Sequence, residues 1–184
     1  SPACAAFAAF AASICCCARL CSVADMSSPA RWTGTRSNTD PPAILVSHGY
    51  FAFEDVPDFT SKISRMSGAD LATVEDLVIH LPRSSGDHAT NQPRFGPDGA
   101  LYIPQASNTA SGAADGFWGH RDEHVLSATV LRLDLAKLTP GQPLDVRTRD
   151  AGGTYDPAAS DAPLTIHAEG VLSLIHIWTL PTKA

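Results

Sequence analysis

The residues with chemistry to offer lie in a few short clusters. His120-Arg121-Asp122-Glu123-His124 spaces two imidazoles four positions apart. On a helix that spacing shares one face, where both rings can reach one metal ion. The run is not H-E-x-x-H, because no Glu follows the first His, so a zinc-protease mechanism lacks its general base. A solvated loop is the better reading. Asp115, Asp122 and Glu123 offer carboxylate oxygens of the kind that bind Ca²⁺, yet loop acids ordinarily face water. Ser47-His48-Gly49 sets a hydroxyl beside an imidazole, but the chain holds no G-x-S-x-G nucleophile elbow. Asp87-His88 joins a carboxylate to an imidazole, and such a neighbour can orient the ring or tune its proton affinity. Alone, the pair equally well closes a polar loop or caps a strand. Trp32, Trp118, Tyr50, Phe51 and Phe53 have faces on which sugars stack, although buried packing is the commoner use of aromatic rings.

These residues sit in a chain of 184 residues with 44% hydrophobic and only 17% charged residues, the latter below the usual ~25%. The formal charge is -6. There is no basic patch of the kind nucleic acid requires, and no apolar run of about 20 residues that would span a membrane. All five cysteines (Cys4, Cys15, Cys16, Cys17 and Cys21) lie near the N-terminus. No later cysteine can pair with them, which excludes a disulfide framework for the rest. Three adjacent cysteines also lack the C-x₂-C spacing and His partners of a zinc site.

Composition divides the chain into three. Residues 1–25 are rich in Ala and Cys and carry only Arg19 and Asp25 as charges. They read either as a secretory signal ending in the small-x-small pattern Ser22-Val23-Ala24, or as non-native sequence. Residues 172–184 contain Leu172-Ser173-Leu174-Ile175-His176-Ile177 and Thr179-Leu180-Pro181-Thr182. In order, these resemble the translation of a sequencing-library transposon adaptor, so His176 and Trp178 are expected to carry no function.

Between them, residues 26–171 show short β-forming runs between turn signals. Strands are expected at Ile44–His48, Lys62–Met66, Glu75–Leu81, Ala100–Gln105, Ala128–Leu135, Leu144–Arg149 and Leu164–Ala168. Leu131, Leu133 and Leu135 alternate with Arg132 and Asp134, the period of a half-buried strand. Gly96-Pro97-Asp98-Gly99 is a hairpin signal, since Pro fixes φ and Gly supplies φ > 0. Short helices are expected only around Ser67–Thr73 and Asp122–Leu126. The fold class is therefore all-β with long loops, notably Ala106–Glu123. Seven strands fit about two antiparallel blades of a β-propeller, or a sandwich.

Several runs favour the propeller. Leu81-Pro82-Arg83-Ser84, Asp87-His88-Ala89-Thr90-Asn91-Gln92 and Phe95-Gly96-Pro97-Asp98-Gly99-Ala100-Leu101-Tyr102-Ile103 resemble the glucose/sorbosone dehydrogenase family. Its members are six-bladed β-propeller quinoproteins that use pyrroloquinoline quinone (PQQ). Val46-Ser47-His48-Gly49, Asp58-Phe59-Thr60-Ser61-Lys62-Ile63, Trp118-Gly119, Leu126 to Asp134 and Pro163-Leu164-Thr165-Ile166 extend the resemblance over roughly residues 43–171.

The resemblance implies that His88 is the general base, taking the proton of the sugar C1 hydroxyl while hydride passes to C5 of the quinone, with Asp87 orienting His88. It also implies PQQ and calcium as cofactors of a full-length, secreted or periplasmic parent acting on an aldose or a sorbosone-type sugar. The family has an Arg-Asn cofactor pair after a Gly-Val strand end. Here Gly170-Val171 is followed at once by Leu172. The chain is accordingly expected to be a truncated piece, inactive and without bound quinone, that exposes apolar faces and open strand edges. A non-catalytic propeller module that binds carbohydrate or protein is the alternative.

Overall fold

The structure, a computed structural model, describes residues 22–25, 43–50, 56–68, 70–84 and 88–172. Among the described residues nine strands follow one another: β1 (Ser22–Asp25), β2 (Ile44–His48), β3 (Ser61–Ser67), β4 (Thr73–Leu81), β5 (Arg94–Phe95), β6 (Leu101–Gln105), β7 (Thr129–Leu133), β8 (Leu144–Asp145) and β9 (Leu164–Glu169). They form one sheet in the order β1-β2-β3-β4-β8 and another in the order β5-β6-β7-β9. The fold is all-β: the helical pieces among the described residues are 3₁₀ turns of three residues each.

Each sheet is chiefly a meander of antiparallel neighbours. Ile44 faces Met66 across β2 and β3, and Leu101 faces Leu133 across β6 and β7. β6 and β7 are hydrogen-bonded antiparallel neighbours in one sheet. The departure from simple meanders is β8, which lies parallel to β4 with Val78 opposite Leu144. It seats a segment of the second half in the first sheet.

Period-two alternation explains the core. Leu131 and Leu133 are fully buried, while Arg132 between them stays partly exposed and reaches Asp98 across the sheet. One cluster joins Leu45, Ile63, Val78 and Leu81 of the first sheet to Leu101, Ile103, Leu131, Leu133 and Leu164 of the second. Burying such side chains is the main favourable term in folding, about 1.5–3 kcal/mol for each. The large apolar side chains left exposed among the described residues are Tyr50, Val74, Val125 and Leu172.

The Gly96–Gly99 hairpin forms as expected. Gly99 takes φ 79°, the Gly96 amide donates to Ala100 O at 2.9 Å, and the Asp98 carboxylate accepts from the Ala100 amide and from Arg132.

Neither short helix is present among the described residues. In Ser67–Thr73 two left-handed residues, Gly68 (φ 94°) and Leu71 (φ 59°), interrupt helical geometry, and Asp70 instead accepts from the Ala72 amide. In Asp122–Leu126 the Glu123 carboxylate reaches back to residues 108 and 109. The chain then turns through left-handed Ala128. The expected strand Leu144–Arg149 is also shorter, because Arg147 folds back onto Asp145 and its carbonyl accepts from the Tyr155 amide. Ser22–Asp25, at the end of the Ala/Cys-rich segment, pairs with β2.

Candidate functional site around His88

His88 lies in the connection from β4 to β5 and is 5% exposed. Backbone pairing sets its place. The Ser84 amide donates to His88 O at 3.1 Å, and the Ala106 amide donates to Ala89 O at 3.2 Å. The buried Gln105 side chain ties the same segment to β6. Its Nε2 donates to Pro82 O, and its Oε1 accepts from Thr90 Oγ1 at 2.6 Å. Leaving these groups unpaired inside would cost about 1–3 kcal/mol apiece, so the polar loop is fixed by its own satisfaction.

The imidazole is held in two ways. Nδ1 is 2.8 Å from the carbonyl oxygen of Ser107. A carbonyl only accepts, so Nδ1 is the donor in this contact, and in the neutral ring that leaves the lone pair on Nε2. The ring also stacks on the Trp118 indole, with centroids 3.6 Å apart and planes inclined by 12°. Asp87 lies outside the described residues, and the hydrogen bond at Nδ1 comes from Ser107.

Trp118 arrives on the long loop, which two carboxylates order. Asp115 accepts from the amides of Ala110 and Trp118, each at 3.0 Å. Glu123 accepts from the amides of Asn108 and Thr109, from the Thr109 hydroxyl at 2.7 Å, and from the Ser127 hydroxyl. Burial works against ionisation of Glu123, and hydrogen bonds from Ser127, Asn108 and Thr109 outweigh it, so its carboxyl titrates below the usual range.

Asp115 and Glu123 thus organise the loop from within. Among the described residues no group of three His, Cys, Asp or Glu side chains converges as metal ligands would. His120 and His124 have different surroundings. His120 lies against Gly116, whereas His124 sits between Asp58 (3.3 Å) and Asp150 (3.1 Å) and against the Phe59 ring.

A second polar chain crosses the first sheet. His48 Nε2 lies 2.7 Å from Ser64 Oγ, Ser64 donates to Asp76, and Asp76 pairs with Lys62 at 2.8 Å. The serine stands between the imidazole and the carboxylate, the wrong order for a hydrolase, in which the base lies between nucleophile and acid. Burial, then the Lys62 charge, push His48 down to about 4, against the opposing pull of Asp76. For Asp76, burial favours the neutral form but bonds from Lys62 and Ser64 win, and its carboxyl is lowered.

Of the aromatic candidates, Trp118 is at the site and Tyr50 is exposed; Trp32, Phe51 and Phe53 lie outside the described residues. Sequence reasoning singled out His88 but missed Ser107, whose contribution is a main-chain carbonyl that no residue type signals. The roles of Asp115 and Glu123 depend on partners up to 15 positions away and leave no local pattern. The register of His48, Ser64 and Asp76 on adjacent strands is a signal that strand alignment could have exposed.

Comparison with known proteins finds no matching family model, no matching curated protein and no matching solved structure.

Proposed function

We propose that the chain is part of a PQQ-dependent sugar dehydrogenase-like β-propeller, and that His88 accepts the proton of the sugar C1 hydroxyl. The observation that carries this reading is the imidazole itself: it is buried, and its Nδ1 lies 2.8 Å from the Ser107 carbonyl, a contact that in the neutral ring leaves Nε2 free of the proton. A positioned base of this kind supplies about 10²–10⁴-fold in rate. The motif order around it supports the family, and two mainly antiparallel sheets sharing one core suit neighbouring blades.

The path of the chain also supports it. Leu172 O accepts from the Ser107 amide at 3.0 Å, so the strand end Gly170-Val171 returns beside the residue that holds His88. An Arg-Asn pair following Val171 would therefore begin next to the proposed base. The described residues do not by themselves make a quinone site. Arg83 donates to Tyr50 O, and Arg121 donates to Arg83 O and lies 3.9 Å from Asp58, so both guanidinium groups are committed to protein.

Extending the coding sequence past Val171 tests the reading. Arg-Asn, followed by blades bearing Lys and Arg, is expected. A native continuation without them overturns the dehydrogenase and leaves a binding module.

A further inference from the structure

We infer that Ser107 and Trp118 are positioning residues that present the Nε2 lone pair of His88 to a ligand hydroxyl, so that the 106–123 loop is a working part of the base. This rests on reading His88 as a proton acceptor.

A planar ring on a single bond needs two constraints to be aimed. The Ser107 carbonyl at 2.8 Å from Nδ1 fixes rotation and tautomer together. The indole 3.6 Å away, nearly parallel to it, blocks the ring from swinging out of plane. The Ser107 hydroxyl does not compete as a donor to Nδ1, because it donates to Thr109 O at 2.6 Å while standing 3.3 Å from Nδ1.

Trp118 is fixed in its turn. Its amide donates to Asp115 Oδ1, and its carbonyl accepts from Ser84 Oγ at 3.1 Å. Ser84 also donates its amide to His88 O. Ser84 therefore links base and holder through hydrogen bonds, and the stacking contact closes the circuit. This is the supporting shell that keeps a catalytic group within a fraction of an ångström of its working position.

The imidazole ¹⁵N shifts of the full 184-residue chain test the inference. At pH 8, without any ligand, His88 is expected as the Nδ1–H tautomer. Free histidine in water prefers Nε2–H, so the preference must come from the holder. Trp118→Leu is expected to lose part of the Nδ1–H preference and broaden the ring signals, while Trp118→Phe, which keeps a stacking face, is expected to retain them. An Nε2–H tautomer in the unmodified chain overturns the inference, and that arm needs no variant to fold. Unchanged ring shifts in a folded Trp118→Leu chain also overturn it. If the ring is held as expected but the parent protein oxidises no aldose, the dehydrogenase reading fails and the holder stands.

Discussion

His48 and His88 are both buried, and the protein constrains them differently. His48 is pushed down to about 4 by burial and by Lys62. A histidine in the unfolded chain titrates near 6.5. As the pH falls below 6.5 the unfolded chain takes a proton that the folded one refuses, so stability falls until the pH passes about 4. The loss is expected to reach up to about 3 kcal/mol at 1.36 kcal/mol per pH unit. Urea midpoints at pH 7 and pH 4 measure it, and His48→Gln, which cannot titrate, should flatten the difference. Asp76, held low by Lys62 and Ser64 with a smaller contribution from His48, contributes an acid loss of its own, so the difference between the two proteins reports the histidine together with its coupling to Asp76. Equal acid shifts in both proteins would contradict this. Ala128 offers a second test. It holds φ 54°, a left-handed conformation that costs a residue with a Cβ about 1–2 kcal/mol. Ala128→Gly should raise the melting temperature slightly, the gain reduced by the freer unfolded glycine.

The strands were legible because burial writes itself into alternation. Leu131 and Leu133 against Arg132 give β7, and Ile44–His48 gives β2 to the residue. Turn chemistry was legible at Gly96–Gly99, where Pro and Gly dictate dihedrals locally. The loop was not. Glu123 collects donors from residues 108, 109 and 127, and no sequence pattern pairs an acid with main-chain amides 14 or 15 positions earlier. The same contacts explain why Asp122–Leu126 makes a turn and no helix. Glu123→Gln should cost about 2 kcal/mol, as bonds to a charged acceptor are worth about 1.5–3 kcal/mol. It should also speed amide exchange at Asn108 and Thr109. Protection unchanged at both amides would show that the carboxylate does not order the loop.

Across the whole molecule, one apolar cluster spans both sheets. The two sheets are therefore expected to unfold together. Leu131→Ala should lower stability by about 2–5 kcal/mol within a single cooperative transition. Two separate transitions would mean that each sheet stands alone. His88 was singled out from ordered motifs along the chain, whereas its contacts with Ser107 and Trp118 were visible only once the 106–123 loop and the Gly170-Val171 strand end met beside it. Under the proposed function, the most direct measurement is aldose-dependent dye reduction by a longer protein that contains residues 26–171, supplied with PQQ, compared with its His88→Gln variant. If His88 takes the C1 proton, kcat should fall by about 10²-fold or more with KM little changed. Equal kcat in the two proteins would contradict that role.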